Sequence, residues 1–356
     1  MLQKISKYRA PIMGFSILWI MLFHSHFSFP AEIPLSDLAN RIKNDGYGGV
    51  DILMFLSGFG LYLSLSHNPK VLPFFKRRLK RVLPTYIPAL LLWQILFTRV
   101  SYDFFSVFLY NLTGISYWTG FAPLFVWFMP ALVSFYLAAP VFFRILRMSV
   151  GGGHLHSICL LTFTLLMNLL FLGSYSLVAI TRFTVFAMGM VAGDWYLKKR
   201  PIHIGLECFF HIAGIASFCL LQWMDDTPFP FPFNERYSYA HYPFIFIAPG
   251  MIFALCRIFS LLDSCVPGKT VIRFFEICGK CSLEIFLIHY YLLGRGVIVR
   301  FVSGGWYRWI LVYLAIILAS YLYYKLSQKA VDAITPYGKH LLKTLGLQYS
   351  AEKPAE

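Results

Sequence analysis

Ten stretches of about 20 predominantly apolar residues run along the chain, at 11–29, 47–66, 82–98, 126–147, 155–173, 178–197, 204–221, 243–262, 276–294 and 308–327. Each has the length a helix needs to cross a hydrocarbon core about 30 Å thick. No soluble domain, linker or sequence repeat interrupts the series. The pattern predicts an all-α, polytopic membrane protein with about ten transmembrane helices. It forms one membrane domain over 1–327 and a short polar tail over 328–356. A further segment, 103–118, is aromatic and apolar; it is expected to lie in the outer interface or to dip in and return. No cleavable signal peptide is expected, because the first stretch is long enough to span and lacks a small-residue exit.

The distribution of charge orients these helices. Of the 31 Lys and Arg residues, 23 fall on one side and 8 on the other when the stretches alternate across a membrane. The basic excess marks the cytoplasmic side, so both termini are expected there. A crossing at 103–118 would invert the later loops and leave 5 basic residues inside against 14 outside. The net charge of +15 is therefore mostly a topology signal. Composition agrees: 58% of residues are apolar and only 13% charged, against roughly 25% charged in soluble domains. These values exclude a soluble globular protein, a disordered chain and a disulfide scaffold, and they speak against a nucleic-acid partner. The expected partner is the lipid bilayer, and the expected location is the plasma (inner) membrane.

Seven cysteines are scattered, and the lone Cys278-x-x-Cys281 has no second pair at zinc spacing, so neither a metal site nor a bound cofactor is expected. Asn111-Leu112-Thr113 is a glycosylation sequon on the expected outer side.

Ionisable groups inside a bilayer are costly and point to function. His24, Asp51, Arg182 and His289 each lie four or five residues from the outer end of a different stretch. At 1.5 Å per residue all four sit about 6–8 Å below the outer surface. Glu284 is five residues deeper than His289 on the same helix. Groups at one level on four helices predict a polar chamber open toward the outer leaflet. A histidine there is a candidate general base, with Asp51 the expected partner of His24. On the opposite side, Lys76-Arg77-Arg78-Leu79-Lys80-Arg81 puts five cations in six residues just before Pro84. Arginine suits bidentate phosphate binding, so Arg77, Arg78 and Arg81 fit a polyphosphorylated cytoplasmic ligand as well as a simple topology anchor.

The chain resembles the acyltransferase-3 family of integral membrane acyltransferases over about residues 7–327. The matching pieces are Met13-Gly14 through Leu22-Phe23-His24, Gly48-Gly49-Val50-Asp51 through Ser57-Gly58-Phe59, Phe75 through Tyr86, and Trp127-Phe128-Met129-Pro130-Ala131-Leu132. Arg182 with Phe186, Gly189 and Gly193, and Ser282-Leu283-Glu284 through His289, complete the series in the family's order. The resemblance implies transfer of an acyl group, often acetyl from acetyl-CoA, to a hydroxyl of an extracytoplasmic sugar or glycolipid. The acyl-CoA phosphates would dock on Arg77, Arg78 and Arg81, and His24 with Asp51 would carry the chemistry. Arg182, His289 and Glu284 would serve the acceptor or the oxyanion. The family's first helix carries an arginine where this chain has Met13; Arg9, one turn earlier on the same face, is expected to take its place. The competing readings are a glycolipid transporter or flippase, and a membrane scaffold. The first lacks the expected inverted repeat and paired broken helices; the second leaves the shared depth of four ionisable groups without a reason.

Overall fold

The computed structural model describes residues 1–25, 27–97, 103–121, 123–148, 154–171, 174–226, 240–294, 298 and 307–344, with side chains as far as 333. Every regular element among them is helical. In chain order these are α1 (Leu2–Phe23), α2 (Ser36–Asn44), α3 (Gly49–His67), α4 (Val71–Phe97), α5 (Phe104–Thr113), α6 (Ile115–Thr119), α7 (Phe128–Arg147) and α8 (Leu155–Leu166). They continue with α9 (Leu177–Leu197), α10 (Ile204–Asp226), α11 (Phe244–Leu262), α12 (Val266–Lys280), α13 (Ser282–His289) and α14 (Tyr307–Thr344).

Each of the ten apolar stretches contains helix, but they are not alike. Six helices among the described residues are long and apolar enough to cross a membrane: the continuous unit Ser36–His67, then α7, α9, α10, α11 and Tyr307–Ala333 of α14. The other four fall short for visible reasons. Lys4, Lys7 and Arg9 occupy the first turns of α1, and the basic run fills the first half of α4. Leu155–Phe171 and Ser282–Gly294 are apolar but only 10–17 residues long. The segment at 103–118 forms α5 and α6, which break at Gly114 with φ 82°. A ten-residue helix rises about 15 Å, half the hydrocarbon thickness. The last helix, α14, continues unbroken to Thr344.

The bundle has a buried centre and a lipid-like rim. The apolar window of α9 is 89% buried, whereas those of α10 and α14 are 17% buried. Leu311, Leu314, Leu318 and Leu322 stand exposed along α14, and Ile204, Ile212 and Ile215 along α10. Contiguous exposed apolar faces of this kind mark contact with lipid, and the chain is a multi-pass membrane protein.

Among the helix pairs that touch backbone to backbone, two carry or lead into the ionisable groups singled out above. A methyl group at Gly58 of α3 would strike the Phe186 carbonyl of α9, and one at Gly189 would strike the Phe55 carbonyl. Likewise, Gly14 of α1 faces the Phe275 carbonyl of α12, and Gly279 faces the Ala10 carbonyl. Small residues permit this closeness, which is how helices associate where apolar burial gives no preference over lipid. On the cytoplasm-expected side, Lys7 Nζ and Tyr8 OH reach Asp263 at the end of α11, at 2.7 and 3.1 Å. Those two hydrogen bonds, Lys7 first, hold the Asp263 carboxyl below its usual range.

Gly189→Val is expected to destabilise the protein by about 1–3 kcal/mol or more, because a carbonyl cannot yield as a side chain can. Gly205→Ala, in α10 with nothing within 4 Å of a new Cβ, is expected to be neutral or stabilising. Thermal unfolding of both variants in detergent checks this; equal melting would refute the close-contact argument.

Candidate active site

The two helix pairs end in two polar clusters. His24 caps the end of α1, and His289 closes α13. His24 Nδ1 lies 3.0 Å from the Ile20 carbonyl and 3.2 Å from His289 Nε2. His289 Nδ1 lies 2.6 Å from the Ile285 carbonyl. A carbonyl oxygen only accepts, so both Nδ1 atoms carry hydrogen, an assignment that follows from the network. His289 Nε2 is then a lone pair facing the His24 Nδ1–H. The result is a directed chain: His24 Nδ1–H donates to His289 and Ile20, and His289 Nδ1–H donates to Ile285. The remaining nitrogen, His24 Nε2, carries a free lone pair and has no hydrogen-bond partner among the described residues. His289 is fully buried and His24 half-buried. Phe23 and Tyr290 pack edge-on against the His24 ring, at 4.9 and 5.7 Å.

The second cluster is ionic. Asp51, in the first turn of α3 where the helix dipole favours an acid, lies 3.4 Å from Arg182 Nε of α9. Both side chains are 1% exposed. The alignment is that of an ion pair without a hydrogen bond, for Asp51 Oδ2 and Arg182 Nε are each buried without a hydrogen-bond partner. Arg182 Nη1 donates to the Val178 carbonyl. Its Nη2 donates to His241 Nδ1 at 3.2 Å, which leaves the hydrogen of His241 on Nε2. Trp127 lies under the guanidinium at 4.9 Å. Tyr47 packs against both His241 and Phe23, at 5.2 and 5.4 Å, and so joins the ionic cluster to the imidazole pair.

Three expectations change here. The partner of His24 is His289, and Asp51 turns to Arg182 because α3 is locked against α9. Glu284 joins neither cluster: it accepts from Thr85 Oγ1 of α4 at 2.9 Å, at a contact where Tyr323 of α14 also donates to the Thr85 carbonyl. The Asn111 side chain of the sequon is buried: its amide donates to the Val107 and Pro123 carbonyls and accepts from Phe125 N–H, and the residue is 2% exposed. His241 was not singled out in the sequence because it precedes the apolar stretch at 243; its position just before Pro243 at the same expected outer end was the available signal.

The basic run divides between two cavities. Arg78 and Arg81 line an inner one of about 370 Å³ with Arg9 and Met13 of α1, so Arg9 reaches the space beside the position it was expected to serve. Gly60 makes room, since a Cβ there would strike the Arg9 guanidinium. Arg78 Nη2 donates to Ser64 Oγ at 3.0 Å. Arg77 turns the other way, into a cavity of about 360 Å³ shared with Lys80, Lys280, Tyr324 and Gln328. Arg81 lines both. Among the described residues no carboxylate lines either cavity, so the charged lining of both is cationic. Cys278 and Cys281 are buried, and Cys281 Sγ donates to the Ile277 carbonyl.

Residues 14–325 match the model of one protein family, described as an acyltransferase domain. No curated protein and no solved structure matches the chain.

Asp51→Ala leaves a buried guanidinium unpaired and is expected to cost about 3–5 kcal/mol, while Asp51→Ala combined with Arg182→Met recovers most of that loss. Thermal unfolding of the single and double variants reads both; a single variant as stable as the parent would contradict the ion pair.

Proposed function

Because the chain belongs to the acyltransferase-3 family and is a membrane acyltransferase, we propose that it moves an acyl group, acetyl in the simplest case, from cytoplasmic acyl-CoA to a hydroxyl of an extracytoplasmic sugar or glycolipid. The arrangement adopted is ten crossings with both termini in the cytoplasm of a plasma (inner) membrane, supported by the asymmetry of Lys and Arg. Arg9, Arg77, Arg78 and Arg81 hold the CoA phosphates, and the pantetheine arm extends along the inner cavity toward the imidazole pair.

The observation that carries this reading is the contact of His24 Nδ1 with the Ile20 carbonyl and with His289 Nε2, from which the direction of the chain is assigned. That direction leaves the lone pair of His24 Nε2 as the base. The acceptor hydroxyl attacks the thioester carbonyl as its proton passes to Nε2. The tetrahedral oxyanion collapses, the C–S bond breaks, and the departing sulfur takes the proton back from Nε2. While Nε2 is protonated, the Nδ1–H hydrogen bond to His289 strengthens, because its donor is then charged. His289 is therefore a positioning residue, since its inward nitrogen accepts and has no hydrogen to give an oxyanion. The His241 Nε2–H, oriented by Arg182 through Nδ1, supplies a donor on the acceptor side. Asp51 acts by holding Arg182.

Purified protein, radiolabelled acetyl-CoA and a glycan extract test the reaction directly. Label is expected to enter glycan, and His24→Ala is expected to lower the rate by about 10²–10⁴-fold with thermal stability retained. Arg9→Ala, by losing one charged hydrogen bond worth about 1.5–3 kcal/mol, is expected to raise the donor KM by roughly 10–100-fold at little cost in kcat. No transfer by the parent protein, or full turnover by His24→Ala, would contradict the assignment.

A further inference from the structure

The inner cavity begins among Arg9, Arg78 and Arg81 and ends against Phe128 of α7 and Phe286 of α13. The two rings are stacked, with centroids 4.4 Å apart and planes 30° from parallel. Neither His24 nor His289 lines the cavity. Phe286 stands between them: it borders the cavity on one side and meets the His289 ring edge-on at 5.5 Å on the other. Phe128 abuts Trp127, the ring that lies under Arg182. A donor gripped by its phosphates and extended along this cavity therefore reaches the stacked rings before it reaches the base.

Phe286 also lies on an interrupted run of helix. α13 is only eight residues long. It is separated from α12 by a break at Cys281 and runs directly into a π turn at Tyr290–Gly294. Interruptions of this kind accompany functional sites, and here they bracket the ring in question. The cavity wall below the rings is soft as well, with Met54 and Leu132 beside Leu53 and Val82. Between turnovers, closed rings would keep water from travelling along the cavity to the imidazoles, where it would compete with the acceptor for the thioester.

We propose that Phe128 and Phe286 form an aromatic gate between the donor cavity and the imidazole pair, and that this gate sets the length of acyl group the protein accepts. The inference rests on the acyl-CoA reading above and adds to it two specificity-determining residues. A two-carbon acyl group passes between the parted rings; a longer chain cannot pass while both rings are present.

The test compares kcat/KM for acetyl-, butyryl- and hexanoyl-CoA in the parent protein, Phe286→Leu, Phe286→Ala and Phe128→Leu, with binding of CoA itself measured in parallel. The parent is expected to prefer acetyl over hexanoyl. Each variant that folds is expected to raise the hexanoyl-to-acetyl ratio at least tenfold, the scale on which a few methylenes are discriminated in an apolar pocket. CoA affinity should be unchanged, since the phosphates bind elsewhere. The leucine variants guard against loss of fold in the alanine variant, as both rings are buried. An unchanged length profile in a folded, active variant would overturn the gate while leaving the donor reading intact. A parent protein that binds no CoA and transfers from none of the three esters would overturn the donor reading, and the gate with it.

Discussion

Backbone contact at glycine fixes the register of two helix pairs, and the placement of every candidate catalytic group follows from that register. Gly58 and Gly189 hold α3 against α9; seven residues before each, two helical turns away on the same face, lie Asp51 and Arg182. Gly14 and Gly279 hold α1 against α12; ten residues after each lie His24 and His289. Matching offsets mean that both pairs are parallel and in step. A slip of one residue in either pair would carry the partners about 1.5 Å along the axis and 100° around it, enough to separate an ion pair or a hydrogen bond. In a lipid-facing bundle, where apolar side chains are interchangeable with solvent, such contacts are the means of specifying alignment.

The two clusters so aligned are electrically different. Asp51 and Arg182 neutralise each other at full burial, and the spare donors of the guanidinium are taken by the Val178 carbonyl and His241. The imidazole pair needs no counter-charge, because each ring is neutral and satisfied through a carbonyl four residues earlier on its own helix. Placing the carboxylate beside the arginine rather than the imidazole thus leaves a neutral base ready to accept a proton. On the other side of Phe128 and Phe286, the cations of α1 and α4 surround cavities that no described carboxylate lines. Under the proposed reading, an anionic donor would be attracted there and not to the level of the base, which would keep grip and chemistry apart.

Much of this was legible in the sequence, and the misses have physical causes. Hydropathy located the apolar helices but not the polar α2 or the first ten residues of α12, and the cost of burying charge singled out His24, Asp51, Arg182 and His289. Periodicity cannot tell which helix faces which, so equal depth was mistaken for contact between His24 and Asp51. The glycines that decide the matter were visible inside the motifs, but their meaning depends on a partner backbone that a single sequence does not reveal. Glu284 was grouped with His289 because both lie on one helix. Five residues of rotation instead turn it toward Thr85. His241 escaped because it stands outside an apolar stretch, and the reach of Arg9 into the space beside Met13 depended on the absent side chain at Gly60.

The paired helix ends present His24 as a neutral base with its hydrogen on Nδ1 and its lone pair on Nε2. Nitrogen-15 magnetic resonance of histidine-labelled protein in bilayers measures this directly, with the His24 signals identified from their absence in His24→Gln. The account predicts a protonated Nδ1 and a bare Nε2 on His24, with Nδ1 also protonated on His289. A His24 ring with its hydrogen on Nε2 and a bare Nδ1 would contradict it.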